Sequence, residues 1–167
     1  MASGDPVVHI LEIRPPATLF APYSIRTGGS TPAEQVGIFL FDDTIVEYLD
    51  FKCLLIGYNG GGLTFTLPWS AATATTNDVR WGIGIRRVQD DAEDIDASHT
   101  YVYNDATDDT APSASGEISY PTLTFSDGGD MDSWADLEVA IVRVRRTAAT
   151  SNMTGDAELW GLVGRET

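Results

Sequence analysis

Cysteine, histidine and lysine are nearly absent from this chain. Its 167 residues include one cysteine (Cys53), two histidines (His9 and His99) and one lysine (Lys52). A lone cysteine excludes an internal disulfide and a multi-cysteine zinc site. In "DFKCLLI" it shares an alternation with Phe51 and Leu55 and reads as a small buried apolar residue. Two histidines far apart in sequence, each flanked by strand residues, read as ordinary surface or core residues. No apolar run approaches the roughly 18 residues that span a bilayer. The start, "MASGDPVVHI", lacks the basic and long apolar regions of a signal peptide, so synthesis in a cytoplasm is expected.

Catalytic motifs are missing too. There is no Gly-x-Ser-x-Gly elbow, phosphate-binding loop or His-Glu-x-x-His. "GIGIRR" (82–87) begins like a dinucleotide fingerprint, but lacks the third glycine and lies within a strand pattern. A non-enzymatic chain without a cofactor is the expectation.

Acids are what the chain has in plenty. Asp and Glu number 25 against 10 Lys and Arg, for a net charge of −15. Such a surface repels phosphate backbones and anionic membranes, so neither nucleic acid nor membrane is an expected partner. Asp90, Asp91, Glu93, Asp94 and Asp96 form the densest acidic cluster. Hard oxygen ligands make it a weak calcium candidate, but its spacing fails the EF-hand pattern, and a solvated loop is the simpler reading. With so many acids, no glycosidase pair can be singled out. The basic clusters are "IRR" (85–87) and "VRVRR" (142–146). They suit internal ion pairs or one positive contact patch.

Alternation of period two dominates, and no segment sustains a period of 3.6. Strands are expected over 7–14, within 15–26, and over 35–41, 44–56, 62–69, 79–88, 99–103, 117–126, 136–146 and 156–166. The strand over 7–14 reads as an edge or entry strand, and the one within 15–26 as short or peripheral, because of Pro15, Pro16 and Pro22. "NGGGLTFTLPW" (59–69) runs three glycines into Leu63, Phe65, Leu67 and Trp69 on one face. This strand and 79–88 are expected to pair as a hairpin across the polar loop 70–78. The segment 127–135 suits one helical turn starting near Asp132 or Ser133. Trp69, Trp81 and Trp160 fall in apolar phase and read as core, while Trp134 is ambiguous. The fold class is all-β: one domain over 1–167, an antiparallel, jelly-roll-like β-sandwich of about eight to ten strands. Residues 1–32 form a possible N-terminal arm or peripheral strands.

"STPAEQ", "EYLDFKCLL", "YNGGGLTFTLPW", "DVRWGIGIRRV", "GGDMDSWADLEVAIVRVRR" and "MTGDAELWGLVGRE" resemble small β-rich virion structural proteins of tailed bacteriophages. The resemblance implies a capsid decoration, or cement, protein on the shell exterior. Its partners would be the major capsid protein and itself, as a homotrimer, in keeping with closed symmetry. Candidate partner-binding residues are Val7, Val8, His9 and Ile10 of the N-terminal segment with Arg86 and Arg87. The second expectation, of a different class, is a carbohydrate-binding β-sandwich module of a phage head or tail fibre.

Overall fold

The computed structural model describes residues 4–73 and 76–167. The strands, in chain order, are β1 (Pro6–Arg14), β2 (Tyr23–Gly28), β3 (Glu34–Phe41), β4 (Tyr48–Leu55), β5 (Leu63–Thr66), β6 (Trp69–Ala71) and β7 (Asp78–Val88). Then come β8 (Tyr103–Asp105), β9 (Asp109–Thr110), β10 (Ile118–Ser119), β11 (Thr122–Phe125), β12 (Val139–Thr147), β13 (Ala157–Leu159) and β14 (Val163–Glu166). The described residues contain no α-helix, and a single 3-10 turn spans Gly129–Met131. That turn precedes the expected start, because Asp132 adopts a left-handed conformation and closes it.

Two antiparallel sheets make a sandwich. The larger has nine strands in the order β11-β5-β14-β1-β4-β12-β7-β8, with β9 also on β7. The smaller has the order β10-β6-β13-β3-β2. The larger sheet nearly closes on itself. Asn104 of β8 donates through Nδ2 to the Thr124 carbonyl of β11 at 3.2 Å and to Asp130 Oδ1 at 3.0 Å.

Alternation sets the core. β4 buries Leu49, Phe51, Cys53 and Leu55; β7 buries Val79, Trp81, Ile83 and Ile85 on its inner face. Each large apolar side chain buried this way contributes about 1.5–3 kcal/mol. Trp81 stands edge-on to Phe41 (centroids 5.1 Å apart) and to Trp69 (6.2 Å). Ile45, within the strand expected over 44–56, lies outside β4 and is exposed. It belongs to a turn in which Asp42 Oδ1 accepts from the Thr44 and Ile45 amides.

Three stretches that read as single strands each divide and pass from one sheet to the other. The stretch 62–69 becomes β5 and β6, 117–126 becomes β10 and β11, and 156–166 becomes β13 and β14. The three lie side by side as β11-β5-β14 in one sheet and β10-β6-β13 in the other. Their bends are tied together: Leu67 N donates to the Pro121 carbonyl and Trp160 N to the Pro68 carbonyl. Prolines sit there because a bend interrupts the ladder and spares the missing N–H. With β9, these divisions account for the excess over ten expected strands.

Two pairings differ from expectation. The strands over 62–69 and 79–88 form no hairpin, since β5 pairs with β11 and β14, while β7 pairs with β12, β8 and β9. The corner at Pro68 carries the chain into the other sheet first, so the connecting loop begins only after Ala71. Its residues 74–75 lie outside the described residues. β1 is an interior strand between β14 and β4, not an edge. Its Val7 is fully buried. β2, by contrast, is the outermost strand of the smaller sheet.

The three glycines are explained by a carboxylate and a close approach. Glu166 Oε1 accepts from the amides of Asn59 (2.9 Å) and Gly61 (3.2 Å). Gly62 has φ +85°, and a Cβ there would sit 2.4 Å from the Phe125 carbonyl oxygen.

Candidate functional site

The outward face of the larger sheet carries most of the chain's organised polar chemistry. Strand register places Arg14 beside Asp50 and Asp50 beside Arg143; Glu12 lies beside Lys52 and Lys52 beside Ile141. Across β7 the same rows continue through Gly84 and Arg86. The sequence 89–102 folds back over these rows. Arg86 anchors it, donating to the carbonyls of Asp94 (2.8 Å) and Ala97 (3.2 Å) and pairing with Glu93 at 3.2 Å.

The result is a groove of about 270 Å³, lined by Glu12, Arg14, Asp50, Lys52, Arg86, Ile95, Tyr101, Ile141 and Arg143. Tyr101 can approach the sheet because β7 has glycine below it. A Cβ at Gly84 would lie 3.0 Å from Tyr101 Cδ1 and 3.1 Å from its Cβ. Likewise a Cβ at Gly82 would meet Asp105 Oδ1 at 2.3 Å. The missing side chains of "GIGI" are thus the seat of the returning segment, and no nucleotide fingerprint is involved.

Arg143 sits centrally. Its Nε and Nη2 donate to the two oxygens of Asp50 at 2.6 and 2.7 Å. Its guanidinium carbon lies 4.5 Å from the Tyr101 ring centroid and 5.7 Å from that of Tyr48. The fork and the stack hold the side chain in one place. The hydrogen bond to Asp50 raises the Arg143 pKa further above its usual value, so its charge is permanent. Arg145 repeats the pattern: it lies 3.9 Å from the Tyr103 centroid and pairs with Asp105 at 3.0 Å. At the outer wall, Glu12 accepts from Lys52 at 2.6 Å and also from Arg14. Those bonds, Lys52 first, hold Glu12 at about 2, so it is ionised at any ordinary pH. Burial pushes the Tyr101 phenol up despite Arg143, and the Tyr103 phenol up to about 12.

The residues singled out from sequence are placed differently. Val7 is buried, Val8 is half-buried, and only His9 and Ile10 of the N-terminal four are exposed. Arg86 is buried and spent on the returning loop. Arg87 forms a two-point pair with Glu138, at 2.6 and 2.7 Å. Neither arginine offers a free contact patch. Asp90, Asp91, Glu93, Asp94 and Asp96 all lie on the exposed loop, where Glu93 pairs with Arg86 and Asp94 caps the Asp96 amide. Among the described residues no group of three or more His, Cys, Asp or Glu is placed to hold a metal ion.

Trp69, Trp81 and Trp134 are buried and Trp160 is half-buried, so none forms an open platform. Tyr48, Tyr101 and Tyr103 are the aromatic residues of the outward face. The alternation over 99–103 marks the latter two only as strand residues, whereas β8 begins at Tyr103 and Tyr101 precedes it. The signal for them was the pair of glycines facing outward in the middle of β7.

Two carboxyls with raised pKa, Glu47 and Asp156, lie elsewhere, in a shallow depression of about 80 Å³ with Asp42. Burial is the main cause for both. Glu47 is engaged there by the Asp42 amide at 2.9 Å.

No family model matches the chain, and no curated protein matches it. Solved structures do. The enzymatically active domain of tailspike protein 4 of bacteriophage CBA120 is 9% identical, with a TM-score of 0.41. The match covers 85% of this chain and 17% of that one, so the chain spans under a fifth of the tailspike domain. The carbohydrate-binding module TmCBM61, solved with β-1,4-galactotriose, is 9% identical, also at a TM-score of 0.41. That match covers 93% of this chain and 88% of the module. Neither likeness assigns a ligand to the groove.

Proposed function

We propose that the chain is a carbohydrate-binding β-sandwich module that holds a sugar in the Arg143 groove without cleaving it. The observation that carries this reading is the groove's construction: a tyrosine wall beside polar side chains already fixed to one another. Sugar rings offer an apolar face and a rim of hydroxyls. An aromatic wall takes the face, and pre-oriented carboxylates and guanidinium groups take the hydroxyls at small entropic cost. Asp50, Arg143, Glu12 and Lys52 supply both donors and acceptors on one surface.

Cleavage is disfavoured by the same geometry. A glycosidase needs one carboxyl kept protonated as a general acid. Glu12 is held at about 2, and both Asp50 oxygens already accept from Arg143. The carboxyls whose pKa is raised stand in a depression too small for a substrate.

The groove favours this second sequence expectation over shell decoration, which rests on the resemblance alone. A place on a phage head or tail fibre, which that resemblance implies, fits a sugar-binding module. The test is a glycan panel probed with the full chain and with Tyr101→Ala and Arg143→Met. Binding by the parent and a loss of tenfold or more in both variants is expected, with no release of reducing ends. Undiminished binding by both variants moves the site elsewhere.

A further inference from the structure

We infer that the groove selects an acidic sugar, with the ligand's carboxylate held between Lys52 and Arg14; this rests on the sugar-binding reading above. Charge distribution is the first reason. Four of the chain's ten basic residues line this one groove: Arg14, Lys52, Arg86 and Arg143. Only two of its 25 acids do, Glu12 and Asp50. Glu93 answers Arg86 from the loop, where Asp94 and Asp96 flank Ile95, so the open positive charge of the groove lies on its β1–β4 side, at Arg14 and Lys52. At physiological salt, charges more than about 8 Å away are screened, so the groove's own charges decide what it accepts.

Unused donors are the second reason. Glu12 takes one N–H from Lys52 and the Nε of Arg14. A lysine ammonium has three donors and a guanidinium five. The remaining Lys52 donors and the terminal nitrogens of Arg14 have no protein partner among the described residues. Arg14 is 78% exposed and Lys52 44%, so both reach a ligand while Glu12 keeps them close together. Arg143 Nη1 likewise has no protein partner among the described residues after the fork to Asp50. Charge-assisted bonds from two cations to one carboxylate are about twice as strong as neutral ones. A neutral hydroxyl in the same place draws no comparable gain.

Geometry separates this site from the other cationic positions. Arg87, Arg80 and Arg145 are each paired to one carboxylate outside the groove: Glu138, Asp108 and Asp105. Arg26 is drawn to the buried Glu158. Among the described residues, only at Lys52 and Arg14 do two cations share one acid on an open surface.

The experiment is calorimetry on the full chain at 0.15 M salt with oligogalacturonate and oligoglucuronate, each beside its carboxyl-reduced, neutral counterpart. A sulfated dextran oligosaccharide forms the third arm. The acidic member of a pair should bind at least tenfold more tightly than the reduced one. The double variant Arg14→Gln/Lys52→Met should bring that ratio to within twofold of unity, the acidic member losing at least fivefold more affinity than the neutral member loses. Equal binding of both members by the parent overturns the inference and leaves the sugar-binding reading standing. Binding of the sulfated arm alone overturns the carboxylate assignment. Binding of no member overturns both. A double variant that keeps the tenfold preference shows that other groups read the carboxylate, and removes Lys52 and Arg14 from the role.

Discussion

β12 presents arginine to both sides of the larger sheet, and the two sides use it in opposite ways. Arg143 and Arg145 face outward, each forked or paired to a carboxylate and stacked on tyrosine. Arg146 follows Val142 and Val144 inward and is only 2% exposed. Among the described residues it has no carboxylate partner in an ion pair. Instead Nη1 donates to the carbonyls of Phe41 (3.0 Å) and Gly155 (2.7 Å), and Nη2 to that of Met153. Burial lowers its pKa, although Asp43, Asp156 and Asp42 pull the other way. An inward arginine thus ties together three carbonyls, one at the end of β3 and two in the connection between β12 and β13. The outward ones leave charge at the surface, where a ligand can meet it. Burial, not residue type, separates the structural role from the recognition role.

The largest way to break this contrast is Arg146→Met. It strands three carbonyls at about 1 kcal/mol or more each, a loss of about 3 kcal/mol. For a chain of this size that lowers Tm by roughly 6–12 °C, to be read by calorimetry. An unchanged Tm would mean water replaces the guanidinium. The same variant should speed Cys53 labelling by a thiol reagent, because that fully buried thiol, raised to about 12 by burial, reacts only on opening.

Arg143→Met, three residues away, should do the reverse: tenfold or greater loss of sugar binding with a Tm change of at most about 4 °C. A Tm loss matching that of Arg146→Met would erase the distinction between the faces. Gly84→Ala sharpens the comparison more gently. The new methyl presses on Tyr101 from below, so sugar affinity should fall severalfold while the inner face of β7 is untouched. Unchanged affinity would show that Tyr101 is not the wall.

The smallest effect is in pH. Glu47 has a folded pKa raised by burial, so the folded state binds its proton more tightly than the unfolded chain does. Its contribution is therefore favourable in acid and is lost as pH rises from the unfolded value of about 4.3. Glu47→Gln should remove that decline, so Tm should gain slightly more at pH 7 than at pH 4. Glu12 works with the opposite sign. Its pKa of about 2 gives a contribution present above the unfolded value and lost as pH falls toward 2. A Glu47→Gln gain that is larger in acid would contradict the assignment of burial as the dominant cause.

The alternation within single strands made the core legible from sequence. Phe51, Cys53, Leu55, Trp81, Ile83, Val142 and Val144 all point inward as their spacing predicts. Alternation continues through a bend, however, so Leu67 and Trp69 keep their phase although they flank a change of sheet. Pro68 and Pro121 were the available signs of the corner. The groove was hidden for a different reason. Its side chains come from β1, β4, β7, β12 and the 89–102 segment, and only strand register makes neighbours of Glu12, Lys52 and Ile141. "VRVRR" suggests a contact patch, although its alternation puts the third arginine in the inward phase of Val142 and Val144; what nothing local reveals is the set of carbonyls that receives it there.

The three strands that change sheets have a mechanical consequence. Each is a beam with one half in the nine-stranded sheet and the other in the five-stranded sheet, and adjacent beams are bolted at the bend by the Leu67–Pro121 and Trp160–Pro68 bonds. The layers therefore have no slip plane at that end. Neither can be peeled away while the other keeps its shape, because peeling would have to shear all three beams together. A groove floored by one layer inherits the stiffness of both.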